Sequence, residues 1–418
     1  MMKYAIIGAS AAGISAAKTL RENDKSCEIK VFTKENYLPY SRPIISYYLK
    51  SKVDLDKIYL NDKSFYSDNK IDIQLNTKIN SIDAKAKKLF FDGGEYKFDK
   101  CLVATGSKPF VPPMENVSQQ ENVFTFLDME QSEKIKAYAT ENTKAVIIGA
   151  GLIGLKAAEG LRKITDSVTV VELAPKVLPS ILDDDAARLV RNHLNANGIV
   201  TLLGDTVVKA EGDKKIKSVL LKSGKTLDCD LLVLAVGVRP ETELLEKAGA
   251  RVERGVCVDK FTMKTTLSDI YAAGDCVSSF DILDEKQKII ALWPNAVREG
   301  KTAALNMCGK EHNDEGSFAV NAIDFFGLRI CTCGLIGNGE AQELKVIGYG
   351  SYKRLLIKND NLVGFVLINC TEKAGIYTGL IKNKVNIKTL EKDITEPPDL
   401  MIFNKGERTQ KLTGGAEI

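Results

Sequence analysis

The residues best suited to chemistry in this sequence are glycines in two short turns, one at residues 6–13 (IIGASAAG) and one at residues 146–154 (VIIGAGLIG). Each turn follows an apolar, β-branched run and opens an Ala- and Leu-rich helical pattern. In a strand–turn–helix of this kind, glycines let the backbone approach a pyrophosphate, and the N-terminus of the helix faces its charge. Two such turns in one chain indicate two dinucleotides bound side by side, a pairing typical of a flavin and a nicotinamide.

The second turn is the better candidate for the nicotinamide dinucleotide. Glu172 ends the next predicted strand, about 20 residues past the glycines, where a carboxylate accepts hydrogen bonds from both ribose hydroxyls. A carboxylate repels the additional phosphate of NADP, and no arginine follows it, so we predict NADH rather than NADPH. A surface glutamate at a strand end is the alternative. The residues predicted to bind NADH are Gly149, Gly151, Leu152, Ile153, Gly154, Glu172 and Gly237.

The first turn is a looser match because Ser10 stands where the motif has its middle glycine, so an ordinary strand–helix connection is the alternative. Nearby residues favour a dinucleotide. Glu35, just beyond the second predicted strand, is placed to bind an adenosine ribose, and Arg42 is placed to neutralise a pyrophosphate. Two later predicted strands end at Thr105-Gly106 and at Gly274-Asp275, and each end brings the backbone close to the cofactor. The carboxylate of Asp275 suits a ribityl hydroxyl. The predicted FAD ligands are Gly8, Ser10, Ala11, Ala12, Gly13, Glu35, Arg42, Pro43, Ala104, Thr105, Gly106, Gly274 and Asp275.

These residues need an α/β framework, and the order of the predicted elements supplies one. We predict two Rossmann-like dinucleotide-binding domains, the FAD domain being discontinuous, followed by a C-terminal α+β domain. Alternating strands at 71–82, 88–91 and 96–97 predict an antiparallel ribbon, and a late helix is predicted over 293–307. The predicted ranges are 1–114 and 236–316 for the FAD-binding domain, 115–235 for the NAD-binding domain, 317–390 for the C-terminal domain, and 391–418 for a loosely held tail marked by Pro397, Pro398, Gly414 and Gly415.

Composition argues against several other classes of protein. The net charge of +3 is too small to indicate nucleic-acid binding, and no apolar stretch is long enough to cross a bilayer. Nine scattered cysteines form neither a disulfide framework nor a metal-ligand pattern, which favours free thiols in a reducing cytoplasm. The one close pair, Cys331 and Cys333, is predicted to lie on a strand. There are only two histidines, so histidine acid–base chemistry is not expected.

Four spaced motifs resemble the two-dinucleotide flavoprotein reductases of the glutathione-reductase-like superfamily. They are the two glycine turns, the run 102–106 (LVATG) and the run 271–275 (YAAGD), and the resemblance covers nearly the whole chain. It implies FAD at the first turn, NAD(P)H at the second, and a nicotinamide stacked on the flavin for hydride transfer. The run 39–46 (PYSRPIIS) is similar to the NADH:rubredoxin reductases and to the flavin module of assimilatory nitrite reductases. The run 292–296 (LWPNA) fits the same branch, which places Trp293 and Asn295 among the predicted FAD ligands, on a helix whose dipole would stabilise a reduced, anionic flavin.

The sequence departs from the resembling families near the flavin. No cysteine stands between Cys27 and Cys101, so a flavin-proximal thiol is not expected and electrons should leave the flavin directly. Related ferredoxin reductases have a lysine where this chain has Tyr47 and a glutamate where it has Lys156. We predict that these two residues are the catalytic pair and that Lys156 supplies positive charge near flavin N5 or the nicotinamide. A lysine turned to solvent is the alternative.

Several functions are compatible with these features. The first is an NADH-dependent reductase of a small electron carrier, rubredoxin before ferredoxin. The second is an NADH oxidase that uses oxygen, and the third is a flavin-bound sensor or interaction protein that responds to NADH. The chain would also serve as the flavin subunit of a larger complex. The sequence leaves the terminal acceptor open and does not decide between a monomer and a homodimer.

Overall fold

The computed structural model describes residues 1–51, 53–117, 120–337, 339–396, 399, 402–403 and 406. Within these residues the chain has the predicted α/β class, with two parallel five-stranded sheets and a C-terminal antiparallel sheet. No helix of this described part is long and apolar enough to cross a membrane.

The N-terminal segment builds most of the first parallel sheet. Its elements are β1 (Lys3–Ile7), α1 (Ala11–Asn23), β2 (Glu28–Phe32), α2 (Ile45–Leu49), α3 (Lys63–Asp68), β3 (Ile71–Gln74), β4 (Ile79–Asp83), β5 (Lys88–Phe91), β6 (Gly94–Lys97), β7 (Lys100–Val103) and β8 (Ser107–Pro109). The strand β1 lies between β2 and β7 and pairs in parallel with both. It is a continuous apolar run because helices and ribbons cover both faces of the sheet, and Ala5 and Ile6 are wholly buried.

The predicted ribbon over residues 71–82 is divided between two sheets. The strand β3 pairs in parallel with β2 and forms the edge of the first sheet, whereas β4, β5 and β6 form a separate antiparallel ribbon. The prediction that residues 71–82 belong to one antiparallel ribbon is therefore wrong for β3 and correct for β4. The alternating pattern is the same for an edge strand of a parallel sheet and for a ribbon strand, so it did not distinguish them.

The second sheet repeats the arrangement of the first. Its segment contains β9 (Val123–Thr125), α4 (Met129–Tyr138), β10 (Ala145–Ile148), α5 (Leu152–Leu161), β11 (Val168–Glu172), α6 (Asp184–Ala196), β12 (Ile199–Leu203), β13 (Val207–Gly212), β14 (Ile216–Leu221), β15 (Thr226–Asp228) and β16 (Leu231–Leu234). The parallel order is β12-β11-β10-β16-β9, and β13 to β15 form a ribbon. The helix α6 begins where the acidic run predicts, because the Asp183 carboxylate accepts hydrogen bonds from the backbone N–H groups of Asp185 and Ala186.

The chain then returns to complete the first sheet. This segment contains β17 (Val238–Pro240), α7 (Glu243–Lys247), β18 (Val256–Cys257), β19 (Ile270–Ala272), β20 (Val277–Asp281), β21 (Lys286–Lys288) and α8 (Trp293–Met307). The strand β17 pairs with β8, and β19 pairs in parallel with β7. The helix α8 packs on α1 so closely that a Cβ added at Gly300 would overlap the carbonyl of Ala12. The FAD-binding domain is therefore discontinuous, as predicted.

The described part of the C-terminal domain is a five-stranded antiparallel sheet packed with a helix. Its elements are β22 (Val320–Phe325), β23 (Leu328–Gly334), β24 (Gln342–Gly348), β25 (Ser351–Lys358), β26 (Asn361–Ile368) and α9 (Ala374–Lys382), and the strand order is β22-β23-β26-β25-β24. Cys331 and Cys333 lie on β23, as predicted.

The described residues after 390 are held more firmly than the sequence predicts. Ile394, Ile402 and Phe403 are buried in the core of the C-terminal domain. The hydroxyl of Tyr377 donates to the carbonyl of Ile394 (2.6 Å), and the ammonium of buried Lys353 donates to the carbonyl of Thr395 (2.9 Å). A loosely held tail thus does not begin at residue 391, because three apolar side chains anchor this segment. Pro397, Pro398, Gly414 and Gly415 lie outside the described residues.

Candidate functional site

A cavity of about 1150 Å³ brings most of the predicted site residues together. Its walls come from the turns that follow β1, β7 and β19, from the start of α5, and from β22 and β23 of the C-terminal domain. The predicted residues that line it are Gly8, Ser10, Ala11, Ala12, Glu35, Arg42, Pro43, Tyr47, Ala104, Thr105, Gly106, Leu152, Ile153, Lys156, Gly274, Asp275 and Trp293. Those outside its lining are Gly13, Gly149, Gly151, Gly154, Glu172, Gly237 and Asn295.

The first turn requires glycine at its two ends and tolerates a side chain in its middle. Gly8 has φ +110°, and a Cβ there would overlap the carbonyl oxygen of Ala104 on the neighbouring strand. A Cβ at Gly13 would overlap the carbonyl oxygen of Gly8. Ser10 is extended (φ −104°), a conformation open to any residue, and it precedes the first residue of α1. Ser10 therefore introduces no backbone strain into the turn, although the motif has glycine at this position.

The acid and the base predicted for the first dinucleotide contact each other. The Glu35 carboxylate pairs with the Arg42 guanidinium and accepts a hydrogen bond from the Tyr40 hydroxyl (2.6 Å). Arg42 also donates to the carbonyl of Leu127 (3.1 Å). Both side chains line the cavity, so the pair presents one prearranged polar group to it.

The turns after β7 and β19 line the cavity close to the paired strands β8 and β17, on which the chain passes between the first two domains. Asp275 is half-buried, accepts a hydrogen bond from the Ser107 hydroxyl (3.3 Å), and has its pKa raised mainly by burial. The Thr105 hydroxyl donates to the carbonyl of Glu241 (2.7 Å), so its side chain faces the crossing of β8 and β17. Gly106, with φ +74°, makes the bend between β7 and β8.

The start of α8 places one of its two predicted residues in the cavity and the other behind it. Trp293 lines the cavity, whereas Asn295 is buried and donates to the carbonyl of Ile290 (3.1 Å) and to the Glu299 carboxylate (2.9 Å). Two residues along an α-helix are rotated by about 200°, so the two side chains point in nearly opposite directions. The structure thus does not place the Asn295 side chain at the cavity.

The second turn has the geometry of the first. Gly149 has φ +104°, and a Cβ there would overlap the carbonyl oxygen of Ala235, the residue after β16. A Cβ at Gly154 would overlap the carbonyl oxygen of Gly149. The Glu172 carboxylate accepts hydrogen bonds from the backbone N–H groups of Ala150 (2.6 Å) and Ala174 (2.8 Å). The acid is therefore fixed beside the glycines, and the turn lies next to the cavity with Leu152 and Ile153 on its wall.

Lys156 and Tyr47 meet at a junction of the three domains. The Lys156 ammonium lies 3.0 Å from Oε2 of Glu159 and 3.7 Å from Oδ1 of Asp324, and it donates to the carbonyl of Asp324. The Tyr47 hydroxyl donates to Oδ1 of Asp324 (3.1 Å). Glu159 also pairs with the ammonium of Lys50, whose side chain is only 1% exposed. Two ammonium groups and two carboxylates share this junction.

The junction changes the interpretation of Lys156. Its side chain is 16% exposed and paired, so it is not a lysine turned to solvent. Its charge is offset by Glu159 and Asp324, and the lysine therefore supplies no uncompensated positive charge to the cavity. Sequence reasoning missed Lys50 and Glu159, although each lies three residues beyond Tyr47 and Lys156, one helical turn further on.

A cysteine on the C-terminal domain also lines the cavity. Cys331 is buried, and burial raises the pKa of its thiol to about 11. The thiol is therefore protonated at neutral pH and a poor nucleophile. Its place on a strand was predicted, but its place in the cavity was not, because the pairing of β22 and β23 over the first two domains has no local signal in the sequence.

Two Rossmann-type turns beside one shared cavity are the arrangement of a protein that binds two dinucleotides. Residues 2–300 match the pyridine nucleotide-disulphide oxidoreductases, and residues 320–385 match the C-terminal domain of rubredoxin NAD+ reductase. The chain belongs to the pyridine nucleotide-disulphide oxidoreductase family. It is an NADH-dependent flavoprotein reductase with FAD and NADH as cofactors, as the sequence predicts.

Individual relatives differ in their names. The chain is 36% identical to the NADH oxidase of Methanocaldococcus jannaschii over 74% of this chain and 71% of that protein. It is 31% identical to the rubredoxin-NAD(+) reductase of Pseudomonas putida over 91% and 99%. Two Bacillus subtilis relatives are longer, and the chain spans only 48% and 51% of them. Putidaredoxin reductase, solved in a covalent complex with putidaredoxin, has the same fold, with a TM-score of 0.85 at 22% identity over 100% of this chain and 99% of that one.

The residues present fit the two cofactors. Both turns have glycine where a Cβ would overlap the neighbouring backbone, and the N-termini of α1 and α5 lie at the cavity. The cavity volume exceeds the roughly 300–1,000 Å³ of ordinary ligand pockets, as a dinucleotide requires. Asp275 offers its carboxylate to the cavity, and Arg42 offers a guanidinium. No part of this donor set conflicts with FAD at the first turn or NADH at the second.

Proposed function

We propose that the protein takes hydride from NADH and passes electrons from its flavin directly to a small redox protein, rubredoxin before a ferredoxin-like carrier. The observation that carries the proposal is the shared cavity: Ile153 and Lys156 of the NAD-binding domain line the same space as Gly8 and Trp293 of the FAD-binding domain. Hydride transfer needs the donor carbon of the nicotinamide and the acceptor nitrogen of the flavin to lie about 3–3.5 Å apart, and a common cavity permits this.

The chain's own residues hold and orient the reactants. FAD would supply the hydride acceptor when bound, and the first glycine turn and Asp275 would hold it through the backbone and one carboxylate. Glu172 holds the ribose of NADH. Tyr47 and Lys156 form the wall where the nicotinamide meets the flavin, with their positions fixed by Asp324 and Glu159. Arg42 would neutralise the FAD pyrophosphate. Glu35 would bind the adenosine ribose while its carboxylate stays paired with Arg42.

The electrons leave without a thiol intermediate in this proposal. The segment after the first strand carries no cysteine between Cys27 and Cys101. Cys331 lines the cavity, but its raised pKa keeps it protonated. The C-terminal domain forms the outer wall through Asp324 and Arg329, and we infer that the carrier approaches the flavin there. The relative named rubredoxin-NAD(+) reductase supports a one-electron carrier as acceptor.

The test is anaerobic NADH oxidation by the FAD-loaded protein with rubredoxin, run beside the same assay with oxygen alone. Fast turnover that requires rubredoxin supports the proposal. The Cys331→Ser variant should keep that turnover, and its loss would show that the thiol carries electrons. Slow turnover with both acceptors, with a long-lived NADH complex, would contradict a reductase and favour the sensor function.

An NADH oxidase is the second candidate, because a relative 36% identical to this chain has that name. In that case, oxygen would enter the same cavity and take two electrons from the flavin. Fast NADH oxidation with oxygen alone, unchanged when rubredoxin is added, would favour this function over the first.

A further inference from the structure

A buried carboxyl group lies directly behind the flavin-binding turn. Glu299, in the middle of α8, has no exposed surface. Its Oε2 accepts a hydrogen bond from the backbone N–H of Gly274 (2.8 Å), and Gly274 lines the cavity. A single peptide group therefore separates this carboxyl from the space that the cofactor fills.

The surroundings of Glu299 suit both of its protonation states. Its Oε1 accepts hydrogen bonds from the Ser279 hydroxyl and from the Asn295 amide (2.9 Å). The amide is fixed in this orientation because its oxygen accepts from Arg298 (2.5 Å). The hydroxyl is free to reverse, since a serine both donates and accepts. Rotation of Ser279 alone thus lets the network hold either a carboxylate or a carboxylic acid.

The two charged groups that act most directly on Glu299, Arg298 and Asp314, have opposite signs. Arg298 faces it from α8 and is itself paired with buried Asp314 (3.1 Å). Cys276, in the turn after β19, also interacts with Glu299, and burial raises the pKa of that thiol to about 11, so it is neutral. Asp275 lies beside Cys276 in the same turn, and Asp281 on β20 is paired with Lys288 (2.7 Å). From α1, Ala12 packs on the same helix at Gly300. Burial raises the pKa of Glu299 to about 7, against the opposing effect of the hydrogen bonds and of Arg298.

We propose that Glu299 binds a proton from solvent when FAD in the adjoining cavity is reduced, so that the carboxyl is ionised behind the oxidised cofactor and neutral behind the reduced one. NADH delivers two electrons and one proton as hydride, which the flavin takes. The reduced cofactor then carries one more negative charge, and a second proton from solvent on Glu299 offsets it. Re-oxidation returns that proton. Charges in a buried site are weakly screened, so an added negative charge in the adjoining cavity raises the proton affinity of Glu299.

The proposal rests on FAD binding and is independent of the acceptor. Its test is the pH dependence of the flavin midpoint potential in the FAD-loaded protein, measured spectroscopically between pH 7 and 9. With one proton for two electrons the potential falls by ~30 mV per pH unit, because a tenfold change in a two-electron equilibrium equals about 30 mV. A second proton doubles the slope. We expect ~60 mV per pH unit in the wild type and ~30 mV in Glu299→Gln.

Two controls keep the outcome decisive. Glu311→Gln, at an exposed residue just beyond α8, should keep the wild-type slope. Infrared difference spectra of the wild type, reduced minus oxidised, should show a carbonyl band of a protonated carboxylic acid gained on reduction. This measurement needs no variant and remains valid if Glu299→Gln does not fold. Equal slopes for wild type and Glu299→Gln, or no gain of that band, would overturn the proposal.

Discussion

The ammonium of Lys156 and the carboxylate of Glu159, one turn apart on α5, lie 3.0 Å from each other, and the carboxylate is shared with Lys50 of the FAD-binding domain. The backbone N–H of Phe326 in the C-terminal domain donates to the other oxygen of the same carboxylate (2.9 Å). One acid therefore joins three domains at the wall of the cavity. The positive charge of Lys156 is neutralised within this junction. Its effect on hydride transfer therefore depends on the net charge that the junction presents to the cavity.

Replacing Lys156 with methionine should slow reduction of the flavin by NADH about tenfold, equivalent to ~1.4 kcal/mol of barrier. The loss leaves Asp324 without its ammonium partner at the cavity wall, where a negatively charged hydride passes. Anaerobic stopped-flow absorbance measures this rate. The matched control is Lys163→Met, an exposed lysine just past the same helix. An unchanged rate in Lys156→Met would limit this residue to a structural role.

Replacing Glu159 with glutamine should lower the free energy of unfolding by about 3 kcal/mol or more, because buried Lys50 and half-buried Lys156 both lose their carboxylate partner. Urea denaturation followed by circular dichroism measures it. Glu130→Gln is the control, since its pair with Lys134 is exposed and worth only ~0.5 kcal/mol. An equal decrease in the free energy of unfolding in the two variants would contradict the stabilising role of Glu159 between Lys50 and Lys156.

Two glycines of the second turn should respond differently to alanine. Gly151 has φ −76° and open space at its Cβ position, so Gly151→Ala should fold normally and raise the KM for NADH several-fold by crowding the pyrophosphate. Gly154→Ala should destabilise the domain, because its Cβ would overlap the Gly149 carbonyl. Thermal unfolding and steady-state kinetics separate the effects. An unaltered KM in Gly151→Ala would place NADH elsewhere.

Replacing Glu172 with serine should reduce the preference for NADH over NADPH by tenfold or more in kcat/KM, since the carboxylate that repels the 2′-phosphate is gone. Some stability should be lost as well, because the N–H groups of Ala150 and Ala174 lose a charged acceptor. Kinetics with both nucleotides check this. Asp213→Asn, an exposed acid in the turn between β13 and β14, serves as the control. An unchanged NADH/NADPH ratio in Glu172→Ser would contradict ribose binding by Glu172.

The buried Glu299 should make the cofactor-free protein less stable as the pH rises from 4.5 to 7. Its folded pKa of about 7 lies above the ordinary 4.5, so the folded state holds the proton more tightly and loses that advantage across this window. The loss is on the order of 3 kcal/mol. It is measured as the difference in unfolding free energy between wild type and Glu299→Gln at the two pH values. A difference that does not vary with pH would contradict the shifted pKa.

The sequence predicts the parts of this molecule that are encoded locally. The two glycine turns have the positive φ values that their motifs require, at Gly8 and Gly149. The helix at 293–307 begins and ends where predicted, and the acidic run at Asp183 caps α6. Each of these signals depends on residues within a few positions of one another, so no knowledge of the tertiary fold is needed.

The remaining features depend on residues far apart in the sequence. Glu159 looks like an ordinary helical glutamate until α2 places Lys50 beside it. Arg42 is held in place by the carbonyl of Leu127, 85 residues further along the chain. Cys331 reaches the cavity only because β22 and β23 fold back over both dinucleotide domains. The direction of Asn295 could have been predicted, since it follows from helical rotation relative to Trp293.

The discontinuity of the first sheet governs the order in which the molecule assembles during synthesis. The strand β7 pairs on one side with β1 and on the other with β19, which is made only after the whole second sheet. At about 5–20 residues per second, β7 waits on the order of ten seconds with one edge open. All strands of the second sheet are synthesised within that interval, because they lie between β7 and β19 in the chain. We therefore expect the nucleotide domain to fold before the flavin domain is able to close, and the flavin domain closes when α8 packs Gly300 on Ala12.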